Sequence, residues 1–543
     1  MPTTLPNGKP RRFDPRSATG KRFTRWADAL YAEITPERID REYLKIYGDK
    51  QLGEMAAGAF NALEMERFVK SAQLMNSASD MPTRMSGGKR EVIPKDGKDV
   101  RSVVDNTAEV FTIMCAAGKT LEAIIFDPVD GIFKDTCIKH RTRPQITKEL
   151  QKGLSSPDCY SWEIDQTRME AHIRIPGTLK VVIKLLEKVM RHIRGRFSAQ
   201  LSHIYDARIK FDETKGMRIK ISVNNVCFPG GSKKVTLTFK DFYLDSGWLL
   251  TSLGNFILET GATLSCSVDN PEHMFCKDKD GNMRMMNGTF NHLYRGVAVN
   301  GMRPAKPVYM KGREEGDDGA GQISKHAGAP YDLAETVRAN MADLGFDAKY
   351  KVIVDGRLEF VGLHATVVDG AVSANVPIIP AIKRSLGKLG TNAQPNGRTP
   401  AQLAAVDAMR FFSLAEMFMG KIPSMCNIYL ACADRQCKKA GAAEMDINRH
   451  WDEYSEVGRA FGAGQHSLRA ISGRTHGSPK LSECPPPSEQ LAALATSLEI
   501  QNIDPAALAK LEILAMDSQG EHIDHLSCYL QLPVELKADG GAN

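Results

Sequence analysis

Residues 160–165 alternate with a period of two, Tyr160, Trp162 and Ile164 falling on one side and Ser161, Glu163 and Asp165 on the other. Successive side chains of a β-strand point to opposite faces of the pleat, so this stretch predicts a half-buried strand. The strand ends on a carboxylate. A rigid strand fixes the oxygens of such a group, and its open end leaves room for a substrate phosphate, which makes Asp165 a candidate metal ligand. Taken alone, Asp165 is more often an ordinary surface acid, because short motifs specify a site loosely.

Helices and strands mix along the rest of the chain. Residues 178–206 carry apolar positions at helical spacing and predict a long amphipathic helix or a pair of helices. A hairpin follows, in which Met217, Ile219, Ile221 and Val223 alternate, as do Val235, Leu237 and Phe239, with Gly230 and Gly231 supplying the bend. After about residue 365 the pattern turns largely helical, with Thr399, Pro400 and Gln402 opening one helix and Asp504 and Pro505 another. Candidate linkers lie at 387–398 and 462–488. The second is rich in Gly, Ser and Pro and carries Arg469, Arg474, Lys480, His466 and His476, which suits either a surface connection or an element that supports RNA.

A chain of 543 residues implies several domains or one large multi-lobed enzyme. Its 42% hydrophobic and 25% charged residues exclude disordered, collagen-like and coiled-coil classes for the bulk of it. The 11 cysteines include no CxxC pair, which argues against a disulfide framework or zinc ribbon and suits a reducing compartment. Apolar runs such as 181–186 and 376–382 are far short of a membrane span, and the basic N-terminus lacks the apolar stretch of a signal peptide, so a soluble, intracellular protein is expected. Net charge is +6, all of it within residues 1–25, where Lys9, Arg11, Arg12, Arg16, Lys21, Arg22 and Arg25 face the single acid Asp14. A basic arm of this kind solvates itself or touches nucleic acid.

Four further segments carry candidate chemistry. In 243–261, Ser246 and Gly247 form a flexible turn before a helix whose Leu249, Leu253, Phe256 and Ile257 share one face and whose Thr251 and Asn255 share the opposite one. These two are spare polar groups on a core helix, or they read a hydroxyl. Gly316, Asp317 and Asp318 place adjacent carboxylates in a glycine-flanked turn, where they repel unless a cation or solvent intervenes; the turn is an exposed loop or a divalent metal site. Asp332 with Glu335 predicts a helix cap, Leu333, Val337, Met341 and Leu344 a buried stripe, and Gly345 the end of that helix. Lys349 follows, a solvated lysine or a proton donor, and 351–361 predicts a tight hairpin about Asp355 and Gly356. Upstream, Lys70, Arg84, Lys89 and Arg90 are separated by Pro and Gly and either line a phosphate channel or decorate a solvated loop. Gly118, Lys119 and Thr120 are not a P-loop, because Ile113 stands where its first glycine belongs.

In this order the segments resemble the viral RNA-dependent RNA polymerases, most closely the tombusvirus-like and nodavirus-like group of positive-strand RNA viruses. Asp165, Arg168, Glu170 and His172 resemble that group's first palm motif, with Glu170 in place of the more usual aspartate. Ser246, Gly247, Thr251 and Asn255 resemble its second, Gly316, Asp317 and Asp318 its third, Lys349 its fourth, and Glu359 with Phe360 its fifth. Phe68, Val69, Lys70, Pro82, Thr83 and Arg84 resemble its basic fingers motif.

The resemblance implies an α+β, right-hand polymerase fold: a basic arm (1–25), fingers (26–158 and 178–240), palm (159–177 and 241–365), and a helical thumb and C-terminal region (366–543). It implies two Mg²⁺ ions, or Mn²⁺, on Asp165, Asp317 and Asp318, and Lys349 as proton donor to pyrophosphate. Lys70 and Arg84 would steer triphosphate and template, Ser246 and Gly247 would belong to the nucleotide site, and Glu170, Thr251 and Asn255 would sense the 2′ hydroxyl. Implied partners are RNA template and product, ribonucleoside triphosphates, and other viral replication or capsid proteins, in the host cytoplasm or the virion. The rival from another class is a coat-like structural RNA-binding protein whose basic arm neutralises packaged RNA. Such a protein has no need of Asp165, Asn255 and the Asp pair in this order.

Overall fold

The computed structural model describes residues 12–48, 83–88, 102–105, 108–139, 141, 143–166, 169–175, 177–196, 217–223, 233–239, 242–243, 251–267, 271–278, 283–285, 310–386, 399–418, 421–439, 441, 498 and 503–517. Its helices are α1 (Ala18–Glu33), α2 (Pro36–Tyr47), α3 (Ala108–Phe126), α4 (Arg143–Gly153), α5 (Met169–His172), α6 (Leu179–Ile193), α7 (Thr251–Ser267), α8 (Pro330–Asp343), α9 (Ile382–Leu386), α10 (Pro400–Phe418), α11 (Pro423–Lys439) and α12 (Pro505–Asp517). Its strands are β1 (Thr83–Gly88), β2 (Ser102–Asp105), β3 (Cys159–Gln166), β4 (Arg174–Ile175), β5 (Met217–Val223), β6 (Lys233–Phe239), β7 (Phe242–Tyr243), β8 (Phe275–Lys277), β9 (Met283–Met285), β10 (Met310–Glu315), β11 (Asp318–Ser324), β12 (Ala348–Ile353), β13 (Gly356–Phe360), β14 (Leu363–Val368), β15 (Ala371–Val372) and β16 (Ile379–Pro380). The class is α+β, with helices and mainly antiparallel sheet.

The central sheet has the order β10-β11-β3-β12 and is antiparallel throughout. The alternation at 160–165 sorts its faces as the sequence predicts. Trp162 and Ile164 are buried with Ile323 and Tyr350 in the main core, and the Trp162 ring stacks on Tyr350 at 5.6 Å. Glycine makes room for these large side chains: a Cβ at Gly319 would meet Ile164 Cγ2 at 2.7 Å. Helices α7 and α8 pack against each other and against this sheet. Helix α6 belongs to the same core because its apolar residues form one stripe, Leu179, Val182, Ile183, Leu186, Val189, Met190 and Ile193 all being buried. Helix α7 has no exposed side at all from Leu253 to Ser267. Its Gly261 admits Trp26 of α1, whose ring would lie 2.3 Å from a Cβ there.

The opposite face of the central sheet is partly covered. Strands β13-β14-β15, with β16 paired to β14, form a second sheet whose apolar side chains share a cluster with Ala320, Ile353 and residues of α4. Polar bonds fasten it, among them Ser161 Oγ donating to the Gly370 carbonyl at 2.8 Å and the Glu359 amide donating to Glu163 Oε2 at 2.8 Å. A third sheet, β2-β1-β5-β6, joins strands from 83–105 to the predicted hairpin of 217–239, with β1 and β5 parallel. Helices α10, α11 and α12 form a separate apolar cluster with Ile379, Ile382 and Leu386. Among the described residues no helix is long and apolar enough to cross a membrane.

Several expectations change. The hairpin over 351–361 does not form: β12 pairs with β3, whereas β13 pairs with β14, so Asp355 passes the chain from one sheet to the next. Strands continue to Pro380, so the helical region begins at α9 rather than near 365. Asp332 does not cap α8; Ala329 is the N-cap, Pro330 starts the helix, and Asp332 sits in the first turn, where the helix dipole favours an acid. Gly345 follows that helix with φ +84°, as expected of a terminating glycine. The basic run 1–25 is helical from Ala18, so Lys21, Arg22 and Arg25 ride on α1. Of the helix predicted over 178–206, α6 and a 3₁₀ turn extend it to Arg196, and the remainder lies outside the described residues, as do 387–398 and 462–488.

Candidate functional site

The register of the central sheet brings three of the predicted residues into one row. Asp318 lies directly opposite Asp165, and Lys349 lies opposite Asp165 on its other side. Glu315 of β10 faces Asp318, so the row across all four strands reads Glu315, Asp318, Asp165, Lys349. Directly opposed residues point to the same side of the sheet, with Cα atoms roughly 4.5–5.5 Å apart. The row stands at the end of the sheet, beyond the second sheet's cover: Asp165 is exposed, and Glu315 and Asp318 are half-buried.

The local sequence explains the row. Gly316 and Asp317 are the two loop residues of the β10–β11 hairpin, and Gly316 has φ +67°, a left-handed value that a side chain resists. The tight loop returns the chain with Asp318 paired to Glu315 and leaves Asp317 at the tip, half-buried. Lys349 reaches Asp165, its Nζ 3.6 Å from Oδ2, with the two side chains 63% and 58% exposed. One row further in, Glu163 accepts from Lys351 Nζ at 3.0 Å and from the Glu359 amide.

Asn255 and Thr251 are not on an outward face of α7. Thr251 is half-buried, and Asn255 is 6% exposed, its Oδ1 buried and without a hydrogen-bond partner among the described residues. The sequence separates apolar from polar positions on this helix, but from Leu253 to Ser267 every position is buried. Glu170 stands in the short helix α5 after β3, and Arg84 in β1, opposite Ile219 of β5. Lys70, Ser246 and Gly247 lie outside the described residues, as do Arg168, Lys89 and Arg90. Glu359 and His364 are cross-strand partners in the second sheet, Oε2 and Nε2 being 3.4 Å apart.

Beneath the row, on the core side, lie charges that sequence reading missed. Glu314 is buried against Thr260 of α7, whose hydroxyl donates to Glu314 Oε2. Burial pushes the Glu314 carboxyl up to about 8. Glu259 is wholly buried and is held well above the ordinary carboxylate range, first by burial and next by Glu314. Gln166, the residue after Asp165, donates from Nε2 to Glu259 Oε2 at 2.7 Å. Glu315 was within reach of the sequence, because a two-residue loop places it opposite Asp318. Glu259 and Glu314 had no signal: each looks like one more surface acid until its element is enclosed.

The donors of the row suit a hard divalent cation, which prefers carboxylate oxygen, and opposed carboxylates on neighbouring strands are mutually destabilising without positive charge between or beside them. Lys349 supplies one such charge. Among the described residues no group of three or more His, Cys, Asp or Glu side chains is placed to hold a metal ion. The chain matches no protein-family model and no curated protein.

Proposed function

We propose that this chain is an RNA-dependent RNA polymerase of the right-hand type, related to the tombusvirus-like and nodavirus-like enzymes. The observation that carries the reading is the row Asp318, Asp165, Lys349. Asp318 and Lys349, 153 and 184 positions beyond Asp165 in sequence and each a candidate for the same chemistry, lie on either side of it at the open end of one sheet. A coat-like protein gains nothing from that coincidence. The third sheet also supports the reading, since its strands come from the two stretches assigned to fingers, as does the separate helical cluster in the region assigned to the thumb.

On this reading Asp165, Asp317 and Asp318 would hold Mg²⁺, or Mn²⁺, which when bound would supply charge neutralisation and a more acidic 3′ hydroxyl. The protein's own contribution is orientation and proton supply. The rigid hairpin and β3 fix the carboxylates, and Lys349, beside Asp165, is placed to give a proton to departing pyrophosphate. Asn255 offers a buried acceptor with no partner, which a ribose 2′ hydroxyl would satisfy. Thr251 lies one turn before it, and Glu170 follows β3. Lys70 and Arg84 would attract the triphosphate and template, with Ser246 and Gly247 at the nucleotide site.

The test is RNA synthesis on a homopolymer template with Mg²⁺. Wild type should incorporate the complementary ribonucleotide, and Asp317→Ala should abolish incorporation while keeping a wild-type melting temperature, because Asp317 sits at a hairpin tip outside the core. Incorporation by Asp317→Ala at the wild-type rate would remove the metal assignment. RNA binding by wild type without synthesis would favour the structural alternative.

A further inference from the structure

Helix α7 carries polar residues at intervals of four, Thr251, Asn255, Glu259 and Thr263, which stack along one side of a helix. Glu259 is the third and is fully enclosed. A buried carboxyl is costly unless its oxygens are bonded, and here both are. Gln166 Nε2 donates to Oε2 at 2.7 Å, and Thr263 Oγ1 donates to Oε1 at 3.3 Å. Gln166 directly follows Asp165 in β3, while Glu259 lies one helical turn beyond Asn255. On the next residue of α7, Thr260 bonds Glu314 of β10, three positions before Asp317. Buried carboxyls thus tie one helix to β3 and β10, two of the three strands that carry the row's carboxylates.

We propose that Glu259 is a positioning residue: its bond to Gln166 sets the placement of the strand end bearing Asp165 relative to the helical turn bearing Asn255, so that both face the same nucleotide. This rests on the polymerase reading. Apolar packing around α7 resists separation but is non-directional, whereas a short bond between buried groups fixes a register. The environment of Glu259 favours its protonated form. A protonated carboxyl keeps an oxygen that accepts from Gln166 Nε2 and gains an O–H to give; Gln166 Oε1 is buried and has no hydrogen-bond partner among the described residues. An amide at position 259 keeps one donor and one acceptor and therefore preserves the tie; an apolar side chain of similar size removes it.

The experiment compares Glu259→Gln, Glu259→Leu and Gln166→Met with wild type in the full chain, measuring melting temperature and incorporation efficiency for GTP and dGTP on a poly(C) template. Expected are near wild-type behaviour in Glu259→Gln and, in a folded Glu259→Leu, a loss of GTP incorporation of about 10- to 100-fold from misplacement, together with a lower GTP to dGTP ratio. Gln166→Met, which cuts the same bond from the strand side, should reproduce the loss and keeps the idea testable if Glu259→Leu does not fold. An unchanged ratio in either folded apolar variant overturns the proposal, and so does a Glu259→Gln protein as impaired as Glu259→Leu. A wild-type protein that incorporates neither nucleotide removes the polymerase reading and this role with it; an active wild type with unaffected variants removes this role alone.

Discussion

Exposure sets what a substitution at each proposed site residue should cost the fold. Asp165 and Lys349 are more than half exposed, and an ion pair in that setting contributes at most about 1 kcal/mol to folding. Lys349→Leu should therefore leave the melting temperature nearly unchanged but slow incorporation by roughly 100-fold or more, the usual scale of a lost general acid. Wild-type turnover in that variant would take Lys349 out of the mechanism. Asn255 is the reverse case, buried with an unpaired oxygen. Asn255→Ala should lower the ratio of GTP to dGTP incorporation more than it lowers GTP turnover, because a site built to bond a hydroxyl discriminates by leaving polar groups unpaired when the hydroxyl is missing. Equal ratios in the variant and wild type would count against sugar sensing at this position. The residue types were legible in the sequence; which of them is enclosed was not.

The β10–β11 hairpin is the element on which the site depends most, and its geometry rests on Gly316 at φ +67°. Gly316→Ala forces a side chain into that region at a cost of about 1–2 kcal/mol and re-aims Asp317. It should reduce both the melting temperature and incorporation, while an alanine at exposed Lys351, in the adjoining row, should change the melting temperature far less. Full activity in Gly316→Ala would mean that the loop conformation is not what places Asp317. At this scale periodicity served well where an element is half-buried. Strand β3 announced its two faces, and the alternation over 217–239 its two antiparallel strands. It failed at 351–361, because the sequence beside Asp355 and Gly356 is that of a hairpin while the partner of each strand is decided elsewhere: β12 has β3 to pair with, and β13 has β14.

Across the whole molecule, the buried acids set a direction for stability against pH. The Glu314 carboxyl is raised by burial from 4.5 to about 8, so between those values the unfolded chain has lost a proton that the folded one still holds. The unfolded state then binds fewer protons, and stability falls as pH rises through this window. Glu314→Gln keeps an acceptor for Thr260 and removes the titration, so the fall between about pH 5 and 8 should flatten; chemical denaturation at pH 5, 6.5 and 8 measures it, and a variant curve parallel to wild type would refute the assignment. The sequence by itself determined the mixture of helices and strands, the strand that carries Asp165 near its end, the glycine turn that leads into Asp318, and the helix that bears Asn255, because each depends on alternation, helical spacing or turn chemistry within a few neighbouring residues. Only the tertiary structure decided that Asp318, Asp165 and Lys349 share one row, that Glu315 joins it, and that Glu259 and Glu314 lie beneath it, because strand pairing and burial depend on residues 54 to 184 positions apart that no local pattern connects.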